Sequence, residues 1–86
     1  MKNSKQDVIK AHEHSIYNKT ELEASEKCGC FFCLSIFSPS EINEYIDEEP
    51  DETAICPFCF VDSVIGDRSG YPITEEFLKR MKQRWM

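Results

Sequence analysis

Two short chelating motifs constrain this chain more than anything else in it. Cys30-Phe-Phe-Cys33 and Cys56-Pro-Phe-Cys59 hold four of its five cysteines, with 22 residues between the pairs. A tetrahedral metal ion takes four ligands, and each Cys-x-x-Cys turn can span one edge of that tetrahedron. A loop of this length lets the two turns meet, so one ion would lock together two distant parts of a short chain. Thiolates are soft, compact donors, and four of them around Zn(II) leave no coordination position for water. The expectation is one structural zinc ion per chain, held by Cys30, Cys33, Cys56 and Cys59.

Size makes that cross-link useful. Eighty-six residues allow one modest core, and small domains commonly need a metal or disulfide to be stable. No apolar stretch is long enough to span a bilayer. The opening MKNSKQDVIKAHEHS lacks the apolar segment of a signal peptide, which points to the cytoplasm. That compartment is reducing and favours thiolates on a metal over disulfides. The formal net charge is −6, and four thiolates around one divalent ion would take it to about −8. Broad contact with nucleic acid phosphates is disfavoured by such a balance. The charge is uneven: acidic residues crowd positions 47–52, whereas Lys79, Arg80, Lys82 and Arg84 sit near the end. A solvated helix surface is the ordinary reading of that basic run.

Along the chain, residues 1–27 read as a polar, helix-compatible arm in which Val8 or Ile9, His12 and Ile16 share one face. Thr20-Glu21-Leu22-Glu23 has the form of a capping box and predicts a further short helical turn. The zinc-ribbon-like part spans 28–86, with short strands leading into both cysteine turns. Ser38-Pro39-Ser40-Glu41 reads as a helix start, with Ile42, Tyr45 and Ile46 as an inward stripe ending before Pro50. Residues 60–65 are β-rich, and 66–70 form a loop. Thr74 caps a final helix whose Phe77, Leu78, Met81 and Trp85 line one side at helical spacing. The fold class expected is α+β: a small core of short strands with two or three flanking helices, making one domain.

Two features complicate the metal turns. Left-handed backbone is common after the second cysteine, where Gly is favoured, but here Leu34 and Phe60 stand there. Cys28 offers an alternative chelating partner for Cys33, although Cys30 makes the two pairs equivalent. Either His12 or His14 could replace one thiolate, while solvated or hydrogen-bonded histidine is the default. No nucleophile elbow, phosphate-binding loop or His-Glu metal base is present. A binding module whose partner is a protein is therefore the leading expectation, engaged through loop 47–52 or the aromatic helix. The alternative is a zinc- or thiol-dependent enzyme with its site beside the metal, drawing on Cys28, His12 or His14 and the Asp62–Tyr71 loop.

The segments CGCFFC, TAICPFCFVDSVIGD and SGYPITEEFLKRM, with Trp85 near the end, resemble a family of small uncharacterised bacterial cytoplasmic proteins. Their pattern reads CGCFYC, CPYCGIDSVIG and SGYPIT ahead of a helix ending in an aromatic residue. The resemblance covers nearly the whole chain and implies a zinc-ribbon-like core, but no activity. It marks Cys28, Cys30, Cys33, Cys56, Cys59, Asp62, Ser63, Gly66, Ser69, Gly70, Tyr71 and Pro72, and departs at Phe60, where Gly is usual. A looser resemblance to rubredoxin, confined to the paired Cys-x-x-Cys and the Cys-Pro start, implies iron as the alternative ion.

Overall fold

The structure, a computed structural model, describes residues 5–86. Three α-helices, α1 (Lys5–Ala11), α2 (Lys19–Glu23) and α3 (Glu75–Trp85), accompany five short strands. Strands β1 (Cys28–Cys30), β2 (Ile36–Phe37) and β5 (Val64–Gly66) form one antiparallel sheet in the order β2-β1-β5. Strands β3 (Tyr45–Ile46) and β4 (Thr53–Ala54) form a separate antiparallel hairpin, with Tyr45 opposite Ala54 and Ile46 opposite Thr53. The α+β class is as the sequence predicts.

The three-stranded sheet divides the interior in two. Successive strand residues point to opposite faces, so Val64 and Ile65 belong to different cores. On one face, Val8 and Ala11 of α1 pack with Phe31, Ile65, Ile73 and the Phe77, Leu78 and Met81 stripe of α3. On the other face, Cys28, Cys30 and Val64 pack with Leu22 of α2, Phe37, Ile42, Ala54 and Cys56. The four-thiol cluster lies on this second side. Gly29 explains how α3 gets so close to β1. A Cβ there would stand 2.7 Å from Leu78 Cδ1 and 3.0 Å from Ile73 Cγ2, so the helix rests on bare backbone.

The final helix starts as its sequence requires, with Thr74 Oγ1 accepting a hydrogen bond from the Phe77 amide at 3.2 Å. Its far end is pinned to α1, because the Trp85 indole donates to the Val8 carbonyl at 3.2 Å. The arm departs from a single helix. After Ala11 the chain tightens into a 3-10 turn over His12–Ser15, and Ile16 emerges into solvent, so only Val8 of the expected stripe is buried. The short helix α2 takes its amide partner from elsewhere in the chain: Asp51 Oδ2 accepts from the Thr20 amide at 2.9 Å.

One predicted helix is absent. The Ser38 capping box forms, and Pro39–Glu41 makes a 3-10 turn, but Ile42 is already extended (φ −76°, ψ 121°). Tyr45 and Ile46 then pair with β4. Ile and Tyr are poor helix formers and good strand formers, so a stretch this short goes to the partner that offers a ladder.

A single buried amide joins the two sheets. Asn18 Nδ2 donates to the Val64 carbonyl at 2.9 Å and to the His14 carbonyl at 3.0 Å, while its Oδ1 accepts from the Ala54 amide at 3.0 Å. Replacing it with Ala would leave a buried N–H and a buried C=O without partners, each costing about 1–3 kcal/mol. We expect Asn18→Ala to lower the stability of the protein by about 3 kcal/mol in a urea titration.

Candidate metal centre

The two cysteine turns are built alike. In the first, the Leu34 amide donates to the Cys30 carbonyl at 2.9 Å and the Cys30 amide to the Ser35 carbonyl at 3.0 Å. In the second, the Phe60 amide donates to the Cys56 carbonyl and the Cys56 amide to the Val61 carbonyl, both at 3.0 Å. Leu34 and Phe60 take left-handed backbone, with φ of 67° and 65°. Departure from Gly therefore leaves the shape of the turn intact, and the side chains carry the strain. The local reason is compact: the left-handed residue turns the chain back so that both cysteines of a pair face one point.

Their thiols converge. The Sγ atoms of Cys30, Cys33, Cys56 and Cys59 all lie within 4.8 Å of one another and can hold a metal ion. Contacts across the two turns are shorter, 3.6 Å for Cys30–Cys59 and 3.7 Å for Cys33–Cys56. Tetrahedral Zn–S bonds of about 2.3 Å imply sulfur–sulfur edges of about 3.8 Å, so the set fits such an ion. Backbone amides point at the sulfurs as well. Phe32 and Cys33 amides lie 3.3 and 3.4 Å from Cys30 Sγ, and the Phe58 amide lies 3.4 Å from Cys56 Sγ. Such donors offset negative charge on sulfur.

Electrostatics make the four thiols unequal. Burial raises the pKa of Cys56 and of Cys59, and Cys30 beside Cys59 adds to the rise there. Burial acts the same way on Cys33, but hydrogen bonds from Ser35 and from the Cys30 and Cys56 thiols outweigh it and bring Cys33 down to about 7. Without a cation, then, Cys56 and Cys59 of this cluster hold their protons at neutral pH. An ion entering it must displace them, which makes occupancy depend on pH and fall as pH falls.

The other sequence candidates lie elsewhere. Cys28 is fully buried in the core under the sheet, where burial pushes its thiol up to about 12. A neutral thiol there packs as a small apolar residue and is not part of the cluster. His12 stacks on Trp85, ring centroids 4.0 Å apart, and His14 faces Glu21 with Nδ1 3.0 Å from Oε1. Neither imidazole joins the thiols. The Asp62–Tyr71 loop is not one site either. Ser63 reaches Cys30 Sγ at 3.0 Å, Asp67 Oδ1 accepts from the Glu26 amide at 3.1 Å, and Tyr71 stacks on Phe77. On α3, Lys82 sits 5.3 Å from the Phe32 ring and Arg84 4.9 Å from the Trp85 ring.

Ser35 is a participant that the cysteine spacing does not reveal. Its hydroxyl lies 3.2 Å from Cys33 Sγ, and its place two residues after that cysteine is the only local hint. Ser63 enters the sequence reading as a polar residue of the Asp62–Tyr71 loop and through the family resemblance. The exposed aromatic ring of the turns is the other unannounced feature: Phe32, Phe58 and Phe60 are 40%, 55% and 71% exposed.

Left-handed backbone costs a side-chain-bearing residue about 1–2 kcal/mol. Phe60 has little packing to lose, so Phe60→Gly should hold or raise stability by about 1 kcal/mol in denaturant titrations. Leu34 packs against the core that holds α3, so Leu34→Gly should be destabilising by about 2 kcal/mol, the lost packing outweighing the relieved strain. Comparisons with protein-family models, curated proteins and solved structures found no match to this chain.

Proposed function

We propose that this chain is a zinc-stabilised protein-interaction module of the reducing cytoplasm. In this reading Cys30, Cys33, Cys56 and Cys59 hold one structural Zn(II), and the aromatic side chains of the two turns form the docking surface. Zinc is supported by the donor set, by sulfur edges matching its bond length, and by amides aimed at Cys30 and Cys56. Four thiolates leave no position for a reacting water, so the ion would contribute folding free energy rather than hydrolysis. The same donors suit iron, and elemental analysis separates the two.

A single observation carries the binding role. Phe60 is held at φ 65°, where Gly would be unstrained, and is 71% exposed. Neither folding nor metal binding benefits from a strained aromatic ring in water. A partner that covers the ring would, and strained residues of this kind gather at ligand-contacting sites. Phe32, Phe58 and Ile36 are also exposed around the same turns, and aromatic anchors dominate protein interfaces. The acidic segment 47–52 is a weaker candidate, because part of it serves the fold: Glu48 accepts from Thr53, Asp51 from the Thr20 amide, and Glu52 pairs with Lys19.

Protein expressed without added metal should carry one zinc per chain. Strong chelation should unfold the turns, since structural zinc in small domains supplies about 10 kcal/mol or more. Cys28→Ala should keep the ion, whereas Cys33→Ser should weaken it. The docking surface is tested separately with Phe58→Ser/Phe60→Ser, which should retain zinc and circular dichroism. Quantitative affinity capture should then show partners lost relative to the unaltered chain. Unchanged capture would remove the aromatic turns from the proposal, and iron or no metal would remove zinc.

A further inference from the structure

The two cysteine turns match position by position, yet only one of them is covered. Cys30-Phe31-Phe32-Cys33-Leu34 corresponds to Cys56-Pro57-Phe58-Cys59-Phe60, with Leu34 and Phe60 in the same left-handed place. In the first turn, Phe31 is buried in the core that Phe77, Leu78 and Met81 of α3 complete, and Leu34 packs against it. Lys82, exposed on the same helix, lies 5.3 Å from the Phe32 ring. What this chain lays over a cysteine turn is thus an amphipathic helix with a basic outer face. In the second turn the counterparts Pro57 and Phe60 line an open groove of about 200 Å³, together with Ile55, Cys56 and Glu44. Among the described residues, neither core cluster takes in Pro57 or Phe60.

Charge selects the sign of whatever fills that groove. All ten lysines and arginines, and both histidines, lie outside residues 28–67. Glu44 lines the groove, Asp47 and Glu49 continue along the same hairpin, and Asp62 follows Phe60; all four are exposed. Glu44, Asp47 and Glu49 make no ion pair among the described residues. Lys19 reaches the hairpin from α2, but it pairs with Glu52 and lies over Tyr45, where both line a different groove. A divalent ion on four thiolates would add about two more negative charges beside Phe60. Such a field repels an acidic partner or a phosphate backbone and draws in a basic one. A second copy of the chain has no such helix to offer, because the apolar stripe of α3 is buried in its own core.

We propose that the groove at Phe60 takes a basic amphipathic helix of a partner protein. Its apolar stripe would rest on Phe60, Pro57 and Ile55, with lysines or arginines over Glu44 and the carboxylates nearby. This assignment rests on the docking role of the cysteine turns and adds the partner's chemistry.

The full chain would be titrated against dye-labelled peptides of about fourteen residues, roughly four helical turns, read by fluorescence anisotropy. One peptide carries leucine along one face and lysine elsewhere, a second has glutamate in place of lysine, and a third keeps the composition but scrambles the stripe. Saturable binding of the first, weaker by about tenfold or more for the other two, is expected. The amide signals of Glu44, Ile55 and Phe60 should shift in nuclear magnetic resonance spectra of that complex. Phe60→Ser should weaken binding about tenfold or more while keeping the far-ultraviolet circular dichroism, and Glu44→Gln about threefold. Equal binding of the glutamate or scrambled peptide, or undiminished binding by either folded variant, would overturn the assignment. So would dimerisation of the chain that Phe60→Ser abolishes, which would give the groove to a second copy. Should the lysine peptide fail to bind while Phe58→Ser/Phe60→Ser still loses captured partners, the basic helix falls and the docking surface stands. Unchanged capture as well would remove both.

Discussion

The convergence of four sulfur atoms holds this architecture to its shape. Each three-stranded or two-stranded sheet here is too small to be stable alone, with strands of two or three residues. What joins them at one end is the meeting of the first turn, which leaves β1, with the second turn, which follows β4. Thiolates at 3.6–3.7 Å repel one another, and thiols there are crowded and half dehydrated. A cation held there would turn that crowding into bonding. The backbone is already committed to it: two left-handed residues, four closing hydrogen bonds and three amides aimed at sulfur all act to present the same four atoms.

Several parts of this arrangement were legible in the residues. The Cys-x-x-Cys spacing identified the cluster because a chelating turn is local and its geometry follows from few residues. Helix α3 was legible for a related reason: Thr74, the acidic first turn and the Phe77-Leu78-Met81 stripe all point the same way. Segment 38–46 misled because its cap and its body disagree. The capping box is a local signal and formed, but whether Tyr45 and Ile46 continue a helix depends on β4, eight residues or so further along. The choice of Cys30 over Cys28 followed from the equivalence of the two pairs, and the fold supplies its physical reason. Cys28 and Cys30 share one face of β1, and only the turn after Cys30 carries that thiol, not its neighbour, to the cluster.

The least legible residues are those whose partners come from distant elements. Asn18 looks like an ordinary polar residue in a polar arm, yet it is 2% exposed and bridges β5 to β4. Ser35 and Ser63 are common loop residues until the fold sets their hydroxyls against sulfur. The acidic loop is similar. Its charge run suggested a free surface, but Asp51 completes the hydrogen bonding of α2 and Glu52 pairs with Lys19. A run of like charge is tolerable here because part of it is spent on backbone amides.

The bridge made by Asn18 has a mechanical consequence. Strands that pair share a ladder and must separate together, whereas β4 and β5 meet through the two ends of one side-chain amide. The β3–β4 hairpin is thus held differently at its two ends. Its loop end is tied to the arm, with the Tyr17 amide on Thr53, the Lys19 amide on the Glu52 carbonyl and the Thr20 amide on Asp51, while the sulfur cluster lies beyond its open end, after β4. Loosening the cluster would therefore release the second turn and its exposed phenylalanines first, with the hairpin still moored to the arm and α3 still resting on Gly29.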